Sequence, residues 1–155
     1  MIDSSRAGRI YPALLFLLFA AGLHAQSLTS ICGGSISTIN MISGHNATRS
    51  IACYSTYSGM KTFVSSTMNV YLPSEPQSGS STLPASSIAV STDGSAFTTF
   101  TGTGNGSSIT VFNGAAPPGS SSPLTIYVRI TVPGGQNAGQ YTGTLMASTT
   151  VTYNP

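Results

Sequence analysis

Few residues in this chain could do acid–base chemistry. His45 lies in the segment 43–46 and could act as a general base for one of many serines, but its Gly and Asn neighbours favour a solvated loop histidine. Asp93 lies in a Ser-Thr-Asp-Gly-Ser stretch, where Asp and Gly are the residues expected of a turn. No Gly-x-Ser-x-Gly motif occurs. We therefore predict that the protein is not an enzyme; a secreted hydrolase would need a cluster of groups around His45.

Metal, phosphate and nucleic-acid sites are not predicted either. A metal site needs several His, Cys or carboxylate ligands, and residues 26–155 hold one His, one Glu and one Asp. The segment 102–106, Gly-Thr-Gly-Asn-Gly, matches half of a phosphate loop but lacks the Lys and the following helix, so a hairpin turn is expected. Three basic residues against two acidic ones in 26–155 form no basic patch. The sequence predicts no cofactor and no nucleic-acid partner.

The first 25 residues have the three parts of a secretory signal. Arg6 and Arg9 give a positive start, residues 13–21 are an apolar run, and Ala25 supplies the small residue before the cut. The alternative is a transmembrane anchor, but the apolar run is shorter than the ~20 residues that a span needs. We expect cleavage after Ala25 and an exported protein, in the periplasm, at the cell surface or outside the cell, with no transmembrane segment in the mature chain.

The remaining residues, 26–155, have the length of one domain and contain two cysteines. An even number of cysteines in an exported chain predicts a disulfide, here between Cys32 and Cys53. Such a loop of about 20 residues would stabilise the fold by ~3 kcal/mol in the chain-entropy model. The alternative is two free thiols with a redox role, although the spacing is far from Cys-x-x-Cys.

Gly and Pro divide residues 26–155 into short segments with the two-residue alternation of β-strands. The weaker candidates are 35–42, 48–54, 60–72, 86–91, 96–101 and 107–113, with a surface loop expected at 73–80. The two clearest are 124–132, where every even position is aliphatic, and 141–153. A short connection between these two predicts an antiparallel hairpin. Regularly spaced strands without a helical period indicate an all-β sandwich or barrel.

The C-terminal third resembles a known family. The sequences Leu-Thr-Ile-Tyr-Val-Arg-Ile (124–130), Gly-Gln-Tyr-Thr-Gly-Thr (139–144) and Thr-Thr-Val-Thr-Tyr (149–153) resemble the close of the spore coat protein U domain, a family that includes archaic chaperone–usher pilins. The cysteine pair near the mature N-terminus also fits the pilin habit of tying the first strand to the second.

The resemblance implies an immunoglobulin-like antiparallel β-sandwich of about 7–9 short strands that lacks one strand. A periplasmic chaperone, an outer-membrane usher and sister subunits would be its partners, and β-strand complementation would join them in a surface, coat or pilus-like assembly. The final strand would flank the acceptor groove with one face, made of Tyr141, Leu145, Ala147, Val151 and Tyr153.

Two alternatives stay open at this point. Only residues 26–31 precede Cys32, which is shorter than a pilin donor segment, so the chain could end an assembly or complete its own sandwich. It could also be a self-contained, adhesin-like module that binds a glycan or protein through exposed tyrosines, for which the candidates are Tyr54, Tyr57, Tyr71 and Tyr127. The competing interpretation of these tyrosines is part-buried sandwich aromatics. An open apolar groove between edge strands would favour the subunit, and a closed sandwich with an aromatic patch the binder.

Overall fold

Strands dominate the fold. The computed structural model describes residues 26–33, 35–37, 44–59 and 62–154. In chain order the strands are β1 (Ser27–Gly33), β2 (Ser35–Ser37), β3 (Asn46–Ser58), β4 (Thr62–Tyr71), β5 (Gln77–Ser78), β6 (Ser81–Thr82), β7 (Ile88–Ser91), β8 (Thr98–Thr99), β9 (Ile109–Gly114), β10 (Leu124–Thr131), β11 (Thr142–Thr144) and β12 (Met146–Asn154). Two 3-10 turns, η1 (Ala85–Ser87) and η2 (Asn105–Ser107), are the helical elements of the described residues. The predicted all-β class is confirmed.

The strands form three antiparallel sheets. Sheet 1 has the order β1-β3-β10-β7-β8, sheet 2 has β12-β4-β9, and the small sheet 3 has β2-β11-β5-β6. Sheets 1 and 2 enclose one hydrophobic core, as in a β-sandwich. The described strands outnumber the 7–9 expected. The excess comes from very short strands, since five of them have only two or three residues each: β2, β5, β6, β8 and β11.

The core is built by side-chain alternation. On β10, Ile126, Val128 and Ile130 are fully buried, and the intervening residues point outward. Met68 and Val70 on β4 face them from sheet 2. Full burial of such a side chain contributes ~1.5–3 kcal/mol of transfer free energy. The two-residue alternation predicted for 124–132 therefore corresponds to the burial of one face of β10 in the core.

The predicted hairpin between 124–132 and 141–153 is wrong. β10 pairs with β3 on one edge and with β7 on the other, so it has no edge left for the last strand. The predicted last strand is also broken at Leu145: β11 pairs with β2 and β5, whereas β12 pairs with β4 in sheet 2. The connection 133–140 thus carries the chain from one layer to another.

A buried tyrosine fixes this connection. The Tyr141 side chain is fully buried, and its hydroxyl donates to the Asn137 carbonyl at 2.8 Å. The Gln136 Nε2 donates to the Tyr141 hydroxyl at 3.1 Å and to the Thr82 carbonyl at 2.6 Å. Asn137 Nδ2 donates to the Ser81 hydroxyl at 2.9 Å. These bonds hold the connection against the strand β6 and set where β11 begins.

Two loops differ from their predictions. The segment 73–80 is not wholly a surface loop, because it contains β5 and the buried Pro76, whose carbonyl accepts from the Leu83 N–H at 2.8 Å. The segment 102–106 is not a hairpin turn, since it links β8 of sheet 1 to β9 of sheet 2. Gly104 has a φ of +80°, which favours glycine, and its N–H donates to the Leu72 carbonyl at 2.7 Å.

We expect Tyr141→Phe to lower the free energy of unfolding by about 1–2 kcal/mol, because it removes the bonds to Asn137 and Gln136 while the ring stays in place. Chemical denaturation of the purified chain measures it. Tyr127→Phe is the control, since the half-buried Tyr127 makes no hydroxyl hydrogen bond in the part of the chain that the structure describes. Equal stability of the two variants would contradict the role given to Tyr141.

Candidate functional site

The first strand is fixed at the edge of sheet 1. β1 pairs with β3 along its whole length, from Ser27 opposite Ser58 to Gly33 opposite Ala52. The predicted disulfide is present, and Cys32 and Cys53 are register partners whose Cα atoms lie 4.1 Å apart. The first strand therefore cannot slide or detach from β3 while the disulfide is intact.

The last strand is an end strand of sheet 2. β12 pairs with β4 and packs against β1 of sheet 1. The two strands run in opposite directions, since the Gln26 side chain meets the Tyr153 hydroxyl and Ser30 meets Thr149. They share no backbone hydrogen bond in the described residues. We call the space between β1 and residues 144–149 the cleft.

Two shallow cavities, both open to solvent, lie along the cleft. One, of about 310 Å³, is lined by Ser30, Ile31, Cys32, Thr144, Leu145, Met146 and Ala147. The other, of about 330 Å³, is lined by Leu28, Thr29, Ser30, Tyr71, Asn105, Ala147, Ser148 and Thr149. The cavities adjoin at Ser30 and Ala147. No charged side chain lines either one, so the cleft is suited to neutral groups.

Hydroxyl groups join the two walls at the middle of the cleft. The Ser30 hydroxyl donates to Thr149 Oγ1 at 2.7 Å, and the Ser55 hydroxyl lies 3.0 Å from Thr149 Oγ1. Ser30 Oγ and Ser55 Oγ are 3.4 Å apart. Ser55 is only 2% exposed, so its hydroxyl depends on these partners. We call these three residues the hydroxyl cluster.

The predicted groove-flanking residues fall in three places. Leu145 and Ala147 line the cleft. Val151 and Tyr153 continue the same face of β12 as half-buried side chains, with Val151 opposite Ser66 of β4. Tyr141 is buried at the inter-sheet connection and lines neither cavity. The structure thus places Ala147, Val151 and Tyr153 on one face of β12 and Leu145 directly before that strand. Tyr141 is separated from these four residues.

Several cleft residues were not predicted from the sequence. Ile31 and Met146, 37% and 46% exposed, are large apolar side chains at the mouth of the first cavity. Ser30 and Ser55 were missed because serines are abundant and β1 shows no apolar alternation: its half-buried positions are Leu28, Ser30 and Cys32. Met146 could have been singled out from the sequence, because it is the apolar residue on the otherwise polar face of 141–153.

The acid–base candidates lie apart from the cleft. His45 is exposed before β3, and its carbonyl accepts from the Val132 N–H at 2.9 Å. Asp93 forms the predicted turn, in which the Ser91 hydroxyl donates to Asp93 Oδ1 at 2.7 Å. The backbone N–H groups of Ser95 and Ala96 donate to the same oxygen at 2.8 and 3.0 Å. The Ser91 hydroxyl first, and then these N–H groups, hold the pKa of Asp93 well below its usual range.

The four candidate tyrosines differ in their exposure. Tyr57, 46% exposed, packs edge-to-face on Phe63 with ring centroids 4.7 Å apart. Tyr54, Tyr71 and Tyr127 are half-buried. In the described ranges, no group of three or more His, Cys, Asp or Glu side chains is placed to hold a metal ion, and no helix has the length and apolarity to span a membrane.

Comparison with known proteins gives no assignment. No protein-family model, no curated protein and no solved structure matches the chain. The cleft must therefore be interpreted from its own geometry.

The Asp93 turn predicts an acid-sensitive contribution to stability. Because the folded pKa lies below the unfolded value, the contribution is present above the usual aspartate pKa of ~3.9 and is lost as the pH falls below it. We expect Asp93→Asn to make the unfolding midpoint depend less on pH between about pH 5 and pH 2, as measured by denaturant titrations. Ser91→Ala should have the same effect in part. Identical acid slopes for wild type and Asp93→Asn would refute this role.

Proposed function

We propose that this chain is an exported, non-enzymatic subunit of a surface, coat or pilus-like assembly, which a neighbouring chain joins by adding a β-strand in the cleft. One observation carries the proposal: β1 and β12 are edge strands of different sheets that pack against each other, no backbone hydrogen bond joins them in the described residues, and Ile31 and Met146 are exposed beside the first cavity. Each facing edge presents backbone N–H and C=O groups that a further strand could bond.

The lack of edge protection supports this proposal. Proteins that must not pair at an edge commonly protect it with charged residues or Pro. Neither the β1 sequence Ser-Leu-Thr-Ser-Ile-Cys-Gly nor the β12 sequence Met-Ala-Ser-Thr-Thr-Val-Thr-Tyr-Asn contains a charged residue or Pro. Two of the four exposed large hydrophobic side chains of the described residues, Ile31 and Met146, line the same cavity. Exposed apolar side chains grouped in this way favour an interaction site.

In this proposal the sandwich is of immunoglobulin type. In such sandwiches a Tyr at a corner between strands hydrogen-bonds to the backbone a few residues upstream. Tyr141 makes a bond of this kind to the Asn137 carbonyl at an inter-sheet connection. The likeness of residues 124–153 to the protein U domain adds the same expectation. Export is supported by the leader sequence 1–25 and by the Cys32–Cys53 disulfide, which oxidising compartments favour.

The partners follow from the mechanism. A chain whose sheet edges are open in the periplasm needs a chaperone to cover them, an usher to export the complex, and sister subunits to replace the chaperone. The incoming strand would gain main-chain hydrogen bonds from β1 and β12, and its alternate side chains would enter the two cavities.

A self-contained binding module is the second candidate. The exposed Tyr57 with its partner Phe63 gives a small aromatic surface on which a sugar ring or a protein side chain could rest. In that case the ligand would contact Tyr57, and the cleft would stay unoccupied.

A photo-cross-linking amino acid at position 146 tests the proposed function. We expect Met146 replaced in this way to cross-link to another polypeptide in cells of the source organism, because the position lies at the mouth of the cleft. Val64 is the matched control, since it is 51% exposed on β4 and lines neither cavity. Mass spectrometry of the adduct identifies the partner segment. Equal cross-linking from both positions, or none from position 146, would overturn strand addition at the cleft; an adduct at Tyr57 would favour the binding module.

A further inference from the structure

Asparagine followed by glycine occurs at two places in the chain, 105–106 and 113–114. An asparagine side chain can react with the backbone nitrogen of the next residue, and asparagine is for this reason among the thermolabile residues. Glycine hinders the reaction least, because it has no Cβ and its backbone is the most permissive. The two pairs have the same residues, so any difference in their reactivity comes from the fold.

The first pair lies at an exposed tip. Asn105 and Gly106 belong to η2, in which no residue is buried. A Cβ placed on Gly106 would meet no atom within 4 Å. Among the described residues, the Gly106 N–H donates no hydrogen bond. The Gly106 nitrogen can therefore approach the Asn105 side chain without displacing a neighbour or losing a hydrogen bond.

The turn that contains this pair is weakly held. η2 is a single 3-10 turn, whose hydrogen-bond geometry is intrinsically poorer than that of an α-helix. The Ser107 N–H donates to the Gly104 carbonyl at 3.1 Å and the Ser108 N–H to the Asn105 carbonyl at 3.3 Å, both longer than the usual ~2.9–3.0 Å. The base of the loop is held separately, by the 2.7 Å bond from the Gly104 N–H to the Leu72 carbonyl. The tip can thus open while its base stays in place.

The second pair lies within a paired strand. Asn113 and Gly114 end β9, opposite Thr67 and Ser66 of β4. The Phe112 ring packs so closely over Gly114 that a Cβ there would come within 2.6 Å of it. Reaction at Asn113 would require its backbone to leave the extended conformation of the ladder, which paired strands resist. The fold therefore protects Asn113 and leaves Asn105 open to reaction.

We propose that Asn105 is a site of spontaneous deamidation in the folded protein. The Gly106 nitrogen attacks Asn105 Cγ, its proton passes to a base in the solvent, and the amide nitrogen leaves as ammonia. Water then opens the resulting succinimide. Attack at the side-chain carbonyl gives aspartate, and attack at the main-chain carbonyl gives isoaspartate. In total one water is consumed and one ammonia is released.

The reaction changes the charge of a chain that has little. Residues 26–155 hold three basic and two acidic side chains, so one new carboxylate at position 105 cancels their formal net charge. Proteins without net charge associate more readily than charged ones. The same carboxylate would be the charged group in the lining of the second cavity, which is otherwise neutral. This inference does not depend on the proposed assembly.

Peptide mapping of the purified, folded chain after incubation in mildly alkaline buffer tests the site. Chymotryptic cleavage after Phe100 and Phe112 places Asn105 in the peptide 101–112 and Asn113 in the next one, so mass spectrometry measures the two conversions separately. We expect Asn105 to convert at least about tenfold faster than Asn113.

The same incubation in denaturant is the control. The two rates should then become similar, because glycine follows both residues. Equal rates in the folded chain would overturn the proposal. So would a folded chain in which neither residue converts although both convert in denaturant.

A substitution tests the route of the reaction. A Cβ on Gly106 meets no neighbour and the φ of Gly106 is not positive, so Gly106→Ala should keep the fold. Its methyl group hinders the nitrogen, and we expect conversion of Asn105 to slow several-fold. Gly134→Ala is the matched control, because Gly134 is equally open and lies in the connection 133–140. If Asn105 converts as fast in Gly106→Ala as in Gly134→Ala, the proposed reaction is wrong.

Discussion

The double pairing of β10 is the constraint on which the rest of the structure depends. Because β3 and β7 occupy both of its edges, the chain after Thr131 cannot turn back alongside β10. The connection 133–140, held by the Tyr141 hydroxyl, carries it across the sandwich, and β12 ends at the edge of sheet 2. The disulfide holds β1 at the edge of sheet 1. Two edge strands of different sheets therefore border the cleft.

Beside the cleft, hydroxyl groups and not large apolar side chains connect sheet 1 to sheet 2. Ser30, Ser55 and Thr149 satisfy one another, while Ser66 of β4 is buried with a hydroxyl that has no partner among the described residues. A net hydrogen bond contributes about 0.5–1.5 kcal/mol, less than the ~1.5–3 kcal/mol of a fully buried leucine or isoleucine. Hydroxyl contacts therefore contribute less to holding the two sheets together here than burial does at the aliphatic centre, where Ile126 and Met68 are fully buried.

Sequence patterns predicted what is local and missed what depends on distant pairing. The aliphatic rhythm of 124–132 identified the buried face of β10, because burial on one side of a strand leaves a two-residue period. The same rhythm says nothing about which strand lies alongside, so the hairpin prediction failed. The break between β11 and β12 at Leu145 was not predicted. The Leu145 side chain points inward, so the two-residue alternation continues through the break. The hydroxyl cluster joins residues 119 and 94 positions apart in the chain.

The position of β1 also limits what this chain can give to an assembly. Residues 27–33 pair with β3 over their full length and are cross-linked to it at Cys32, so they form one wall of the cleft and cannot leave to complete a neighbour. Their polar residue at position 30 belongs to the hydroxyl cluster, which joins this strand to β12. In the proposed assembly this strand therefore serves to receive a partner strand. Any strand that the chain donated would have to come from another segment.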